Sequence, residues 1–275
     1  MSSFRCTALL TLLLSQLCFA QTTKDTKIKL GVRSPISFQA TTPMASPEQL
    51  KMRLRASETP GALDLSMEKF EVILPKAYNK EEPHGLFIWI SPNDQCALPA
   101  DWEKVLSDEK LIFIGALKSG NTRETMDRMQ LAITANDQMR QLYNIDPARV
   151  YISGHSGGSR VASMLAVAYA DMFSGAVCFM GVNFFFPTQA KDGTMYEARY
   201  IPHPEIATLA QNESRIVLVT GSKDFNLDNT TAIYEQGFKA NDFKHVTLFD
   251  IPGQGHGAPD KGWFKKSLNY LDQKK

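Results

Sequence analysis

The stretch Val150-Tyr151-Ile152-Ser153-Gly154-His155-Ser156-Gly157-Gly158-Ser159-Arg160 constrains the fold more than any other part of the chain. A run of β-forming residues leads into Gly-x-Ser-x-Gly, and Val161, Met164, Leu165 and Ala168 continue at helical spacing. Such a sequence puts a serine on a sharp strand-to-helix turn, with its backbone held in a strained conformation. The flanking glycines have a steric reason: a side chain at Gly154 or Gly158 would run into the neighbouring strand and helix. The helix that follows aims its first amides, including that of Gly157, back towards the serine, where they favour negative charge. Ser156 is therefore a candidate nucleophile. A serine hydroxyl is weakly nucleophilic at neutral pH unless a base, itself held by a third group, stands beside it. The rest of the chain must supply that base, an acid and a second oxyanion donor.

The surrounding pattern alternates strands with helices. Residues 70–74, 86–90, 111–115, 149–153, 175–180, 215–220 and 245–251 read as strands, several of them nearly continuous apolar runs suited to burial on both faces. Residues 102–107, 125–143, 230–240 and 263–271 read as helices, and 183–213, rich in aromatics and prolines, as an irregular excursion. This order predicts an α/β fold with a mainly parallel central sheet and helices on both faces. Downstream of the serine, Asp224 follows one strand in Gly221-Ser222-Lys223-Asp224, and His256 follows the next in Gly253-Gln254-Gly255-His256-Gly257. Sites of open α/β sheets lie along that carboxyl-end rim.

Ahead of this body, Met1 to Arg5 carries one positive charge, Ala8 to Phe19 is apolar, and Cys18-Phe19-Ala20 precedes a polar segment. The expectation is a signal peptide over 1–20, cut after Ala20, and a secreted or periplasmic mature chain. The apolar run, roughly 12 residues, is short of the ~20 needed to span a bilayer, so no membrane partner is expected after cleavage. Residues 21–65 read as an N-terminal arm, with Ser46-Pro47-Glu48 opening a short helix. Residues 66–275 form the main domain. A net charge of +1 without a basic cluster argues against nucleic acid as a partner. Cys96 and Cys178 survive cleavage; export permits their pairing, while the apolar run around Cys178 favours a buried thiol.

From about Met67 onwards the chain resembles the α/β-hydrolases, and within them it is similar to secreted esterases of the polyhydroxybutyrate depolymerase and feruloyl esterase type. The resemblance rests on Phe70-Glu71-Val72-Ile73-Leu74-Pro75-Lys76-Ala77-Tyr78, on Ile145-Asp146-Pro147-Ala148-Arg149-Val150-Tyr151, on Ser153-Gly154-His155-Ser156-Gly157-Gly158 and on Ala170-Asp171-Met172-Phe173-Ser174-Gly175-Ala176. It implies an α/β-hydrolase fold, with Ser156 as nucleophile, His256 as base and then acid, and Asp224 orienting His256. Asp228 and Asp250 are the rivals for the last role. The Gly157 amide is the implied first oxyanion donor. Many relatives carry His-Gly after the third strand where this chain has Ser91-Pro92-Asn93; Pro92 has no N–H, which leaves Asn93 as the expected second donor.

Phe184 and Phe185, past the strand that follows the elbow helix, and Trp102, near the oxyanion turn, are candidate substrate contacts; the competing expectation is that they pack the interior. No metal-binding motif is present, and the design implied needs no cofactor. The expected activity is hydrolysis of a small-molecule or polymeric carboxylic ester through an acyl-enzyme. The alternatives are a peptidase related to prolyl oligopeptidases, and a catalytically dead hydrolase fold used for binding.

Overall fold

The apolar runs, which water cannot solvate on either face, pair into one eight-stranded sheet. In the computed structural model, which describes residues 28–273, the elements follow in the order β1 (Ser34–Ile36), α1 (Pro47–Leu54), β2 (Phe70–Ile73), β3 (His84–Ile90), α2 (Ala100–Asp108), β4 (Leu111–Ala116), α3 (Thr125–Leu142), β5 (Ile145–His155), α4 (Gly157–Ala168) and β6 (Gly175–Phe179). A two-stranded hairpin, β7 (Thr188–Gln189) and β8 (Met195–Tyr196), comes next, followed by α5 (Pro204–Glu213), β9 (Arg215–Gly221), α6 (Leu227–Ala232), β10 (Val246–Ile251) and α7 (Lys261–Leu271). The sheet order is β1-β2-β4-β3-β5-β6-β9-β10. Its first three strands pair antiparallel and all later pairs are parallel. The expected signal segment, 1–20, lies outside the described residues.

Strand periodicity divides the core in two. Leu86, Ile88 and Ile90 of β3, with Val150 and Ile152 of β5, join α3 and α4 in one cluster. Phe87 and Trp89, with Tyr151, join α2 and α7 in the other. The segment expected as an arm is bound to this body. β1 forms the sheet edge, and Leu50 and Leu54 of α1 enter the first cluster. Arg53 donates two hydrogen bonds to Asp171, at 2.6 and 2.7 Å, and lies 4.5 Å from the Tyr169 ring.

Three local departures have visible causes or positions. β5 begins at Ile145, earlier than expected, but its pairing with β3 shifts register between the partners His84 and Leu86. That shift accommodates Pro147, which has no N–H to give the ladder. The excursion at 183–213 is not wholly irregular, because it holds the hairpin and ends in α5. The helix expected at 230–240 changes pitch, passing from α6 into a π-helical turn at Ile233–Phe238 and a 3-10 turn at Lys239–Asn241. Among the described residues no helix is long and apolar enough to cross a membrane.

Candidate active site

Ser156 sits between β5 and α4 with φ 54° and ψ −120°, a left-handed backbone that a non-glycine residue adopts only when its surroundings enforce it. They do so here. The Ser156 N–H donates to the Phe179 carbonyl at 2.8 Å, and its carbonyl accepts from the Arg160 amide at 3.1 Å. A Cβ at Gly154 would strike the Gly158 backbone and the Ile90 carbonyl, and one at Gly158 would strike that same carbonyl. The strand and helix approach so closely that only glycine fits at both positions.

Strand order brings the other two groups to the serine. β5, β6, β9 and β10 are successive neighbours in the parallel half of the sheet, so the loops after β5, β9 and β10 emerge on one edge. The Ser156 hydroxyl lies 2.8 Å from Nε2 of His256, whose Nδ1 lies 2.7 Å from Oδ1 of Asp224. Of the three carboxylates weighed, Asp224 is the one on the imidazole. Its side chain is buried and held from three directions: Oδ1 also accepts from the Asn226 amide at 3.0 Å, and Oδ2 accepts from the Thr220 hydroxyl at 3.1 Å. The two loops are laced together, since Lys223 N–H donates to the Gln254 carbonyl at 2.9 Å and Gly253 N–H donates to the Ser222 hydroxyl at 2.8 Å.

A second layer fixes this chain. Asn226 donates through Nδ2 to the Met180 carbonyl at 2.8 Å and accepts from Arg160 at 3.0 Å. Arg160 also donates to the Val182 carbonyl at 3.1 Å. Burial, with some contribution from Arg199, holds the Arg160 guanidinium below its ordinary range. His155, within the elbow motif, donates from Nε2 to the His256 carbonyl at 2.8 Å. Burial holds its imidazole below the usual histidine range, favouring the neutral form.

Asn93, expected as the second oxyanion donor through its backbone or its side chain, stands in the turn after β3. The Asn93 backbone amide is already engaged, donating to the Ser91 hydroxyl at 3.0 Å. The carboxamide packed against Gly157 is that of Asn121, on the loop after β4: a Cβ built at Gly157 would meet its Oδ1 first, then Cγ at 2.7 Å and Nδ2 at 3.0 Å. The loops after β3 and β4 are docked through the Asn121 amide on the Pro92 carbonyl, 2.9 Å, and the Lys118 amide on the Asp94 carbonyl, 2.7 Å. Beneath them Arg128 is buried, donating to the Ser91 carbonyl at 3.0 Å and the Gly157 carbonyl at 3.4 Å. Burial lowers its pKa to about 10. Its guanidinium thus ties the turn after β3 to the first turn of α4.

Comparison with solved structures matches the fold over most of the chain. The fluorophosphonate-binding serine hydrolase FphF of Staphylococcus aureus superposes with a TM-score of 0.59 at 15% identity, covering 90% of this chain and 100% of that one. The S-formylglutathione hydrolase FrmB of the same organism gives 0.58 at 15% identity, covering 88% and 98%. The fold is that of the α/β-hydrolases. In sequence, poly(3-hydroxyalkanoate) depolymerase C of Paucimonas lemoignei is 25% identical over 113 residues, 41% of this chain; the match spans about a fifth of that relative, 21%. No protein-family model matches.

Within this α/β-hydrolase fold, Trp102, Phe184 and Phe185, for which substrate contact and interior packing were both expected, are buried. Trp102 is 0% exposed; its ring stacks on Phe264 with centroids 4.0 Å apart, and its Nε1–H donates to the Pro259 carbonyl at 3.1 Å. It fills the core between α2 and α7. Phe184 and Phe185 are buried too, packed among Phe238, Phe243 and Tyr200, which fastens the excursion to the body. An unexpected aromatic is at the site instead. Phe225, next to Asp224, stacks on the His256 ring with centroids 3.9 Å apart and planes 29° apart. Its neighbours Lys223-Asp224 and Asn226 gave no periodic signal that would have marked it.

Proposed function

We propose that this protein is an exported serine hydrolase that cleaves carboxylic esters through an acyl-enzyme, with Ser156, His256 and Asp224 as its triad. The observation that carries the reading is the unbroken chain from the Ser156 hydroxyl to His256 Nε2, 2.8 Å, and from His256 Nδ1 to Asp224, 2.7 Å. As Ser156 Oγ attacks the ester carbonyl carbon, its proton passes to Nε2, and Asp224 stabilises the imidazolium that results. The tetrahedral oxyanion is met by the Gly157 amide and the Asn121 carboxamide, with Arg128 favouring the same charge. Collapse breaks the bond to the alcohol oxygen, which takes the proton from Nε2. Water, deprotonated by the same nitrogen, then attacks the acyl-enzyme and releases the acid and free Ser156. The depolymerase relative supports an ester as substrate, small or polymeric, and the N-terminal segment supports export.

The test is turnover of short-chain esters together with labelling by a fluorophosphonate probe. The protein is expected to do both, and Ser156→Ala neither. A folded wild-type protein that neither turns over esters nor takes the label is not this enzyme.

A further inference from the structure

The Phe225 side chain belongs to neither core cluster. It is 77% exposed, the most exposed of the large apolar side chains in the described protein, yet it is held face to face against His256. A phenyl ring left in water loses the free energy that burial would bring, and an isolated exposed phenylalanine needs no explanation. One that stacks on the imidazole bonded to Ser156 does, because that contact sets the ring beside the group that carries the proton.

Two aromatic rings lie against the imidazole in different ways. His155 tilts against the ring with centroids 5.2 Å apart, and its bond to the His256 carbonyl fixes it there. Phe225 occupies the stacked position and continues outward into solvent. The histidine loop beside it is open: a Cβ built at Gly253 or at Gly255 would meet nothing within 4 Å. In the chemistry proposed above, the alcohol oxygen receives its proton from His256 Nε2, so the alcohol portion of the ester must leave past this ring. Apolar substituents on that oxygen come within reach of the exposed Phe225 ring. The groups that face the imidazole in its plane, Asp224 and Ser156, are committed to the hydrogen-bonded chain.

We propose that Phe225 is the specificity-determining platform for the leaving group, and that the enzyme prefers esters whose alcohol portion is apolar, aryl-alkyl above all. The assignment rests on Ser156 and His256 acting as a hydrolytic pair. Placing an aromatic group on an aromatic face also adds the offset-stacked or edge-on attraction that such rings prefer.

The experiment holds the acyl group constant and varies the alcohol: methyl, n-butyl and benzyl acetate, followed by acid release in a pH-stat, for wild type, Phe225→Ala and Phe225→Trp. In wild type, kcat/KM is expected to rise from methyl to benzyl acetate. Phe225→Ala is expected to lower the ratio of kcat/KM on benzyl acetate to that on methyl acetate about tenfold, the scale of one lost apolar contact in a substrate site. Phe225→Trp is expected to retain the preference. Because the side chain is so exposed, its truncation leaves the core untouched, and fluorophosphonate labelling of Ser156 reports that the site is intact. Equal losses on methyl and benzyl acetate would overturn the assignment, since Phe225 would then be holding His256 rather than reading the alcohol. An unchanged benzyl acetate rate would overturn it as well. A wild type that labels and hydrolyses with a flat alcohol profile refutes the platform alone, whereas a wild type with no turnover and no labelling refutes the hydrolase.

Discussion

Replacing Asn121 by alanine tests the least anticipated part of the site. The substitution removes the carboxamide beside Gly157 but keeps the backbone amide that holds the loop on the Pro92 carbonyl at 2.9 Å. Asn121 is exposed and its side chain lies outside the core, so stability is expected to change by no more than about 0.5 kcal/mol. Loss of one oxyanion donor lowers kcat by about 10² to 10³ in serine hydrolases. Solvent access weakens each such bond, which places Asn121→Ala at the lower end, about 100-fold or about 2.7 kcal/mol of transition-state stabilisation. Because the charge exists only in the transition state, kcat should carry most of the loss and KM little. Steady-state rates on a short-chain ester, with Tm by calorimetry as the folding control, provide the measurement. Asn93→Ala, whose backbone amide remains on Ser91, is the matched control and should stay within about twofold. A kcat for Asn121→Ala within about threefold of wild type, or a large loss in Asn93→Ala instead, would refute the assignment.

Further tests separate chemistry from packing. Asp224→Asn keeps the shape of the side chain but removes the charge that stabilises the imidazolium; kcat is expected to fall about 10⁴-fold with Tm little changed, and a fall under tenfold would remove Asp224 from the triad. Trp102→Ala opens the core between α2 and α7 and should cost about 3–5 kcal/mol, read as a lower denaturation midpoint, while kcat/KM of the folded fraction stays within about threefold; a selective KM rise would restore Trp102 to the substrate. Cys96 and Cys178 are free and buried, and burial pushes both thiols from 9.0 up to about 12. The folded state therefore keeps protons that the unfolded chain releases, so the stability they contribute is complete below about pH 9 and is lost between about pH 9 and 12. Alanine at both positions should flatten that part of the stability–pH curve, and a thiol reagent should reach neither thiol until urea is added.

The legible and illegible parts of the site differ in how far their causes lie along the chain. The elbow is local: Val150 to Ile152, the paired glycines and the helix after Ser156 all sit within one strand and the first turns of a helix. Asp224 and His256 were also legible, because each follows a strongly apolar strand and the order of strands fixes the rim on which their loops emerge. Asn93 was expected as the oxyanion donor because its turn follows β3. The docking of the β3 and β4 loops instead presents Asn121 to Gly157, through contacts between segments whose sequences carry no mutual signal. Trp102 was placed by its nearness to that turn, but α2 turns it inward onto Phe264 of α7, a contact made between distant parts of the chain. The same holds for Phe184 and Phe185, whose partners Phe238 and Phe243 come from beyond α6.

By itself, then, the sequence determined the α/β order, the strained serine and the succession of acid and base, since short-range sterics and hydrophobic periodicity act within each element. Which carboxamide lies against Gly157, which aromatic rings fill the core and which phenylalanine remains in water were decided only when pairing brought the loops after β3, β4, β5, β9 and β10 to one edge. Those choices depend on side-chain contacts a few ångströms long between residues up to a hundred positions apart, and no local pattern records them.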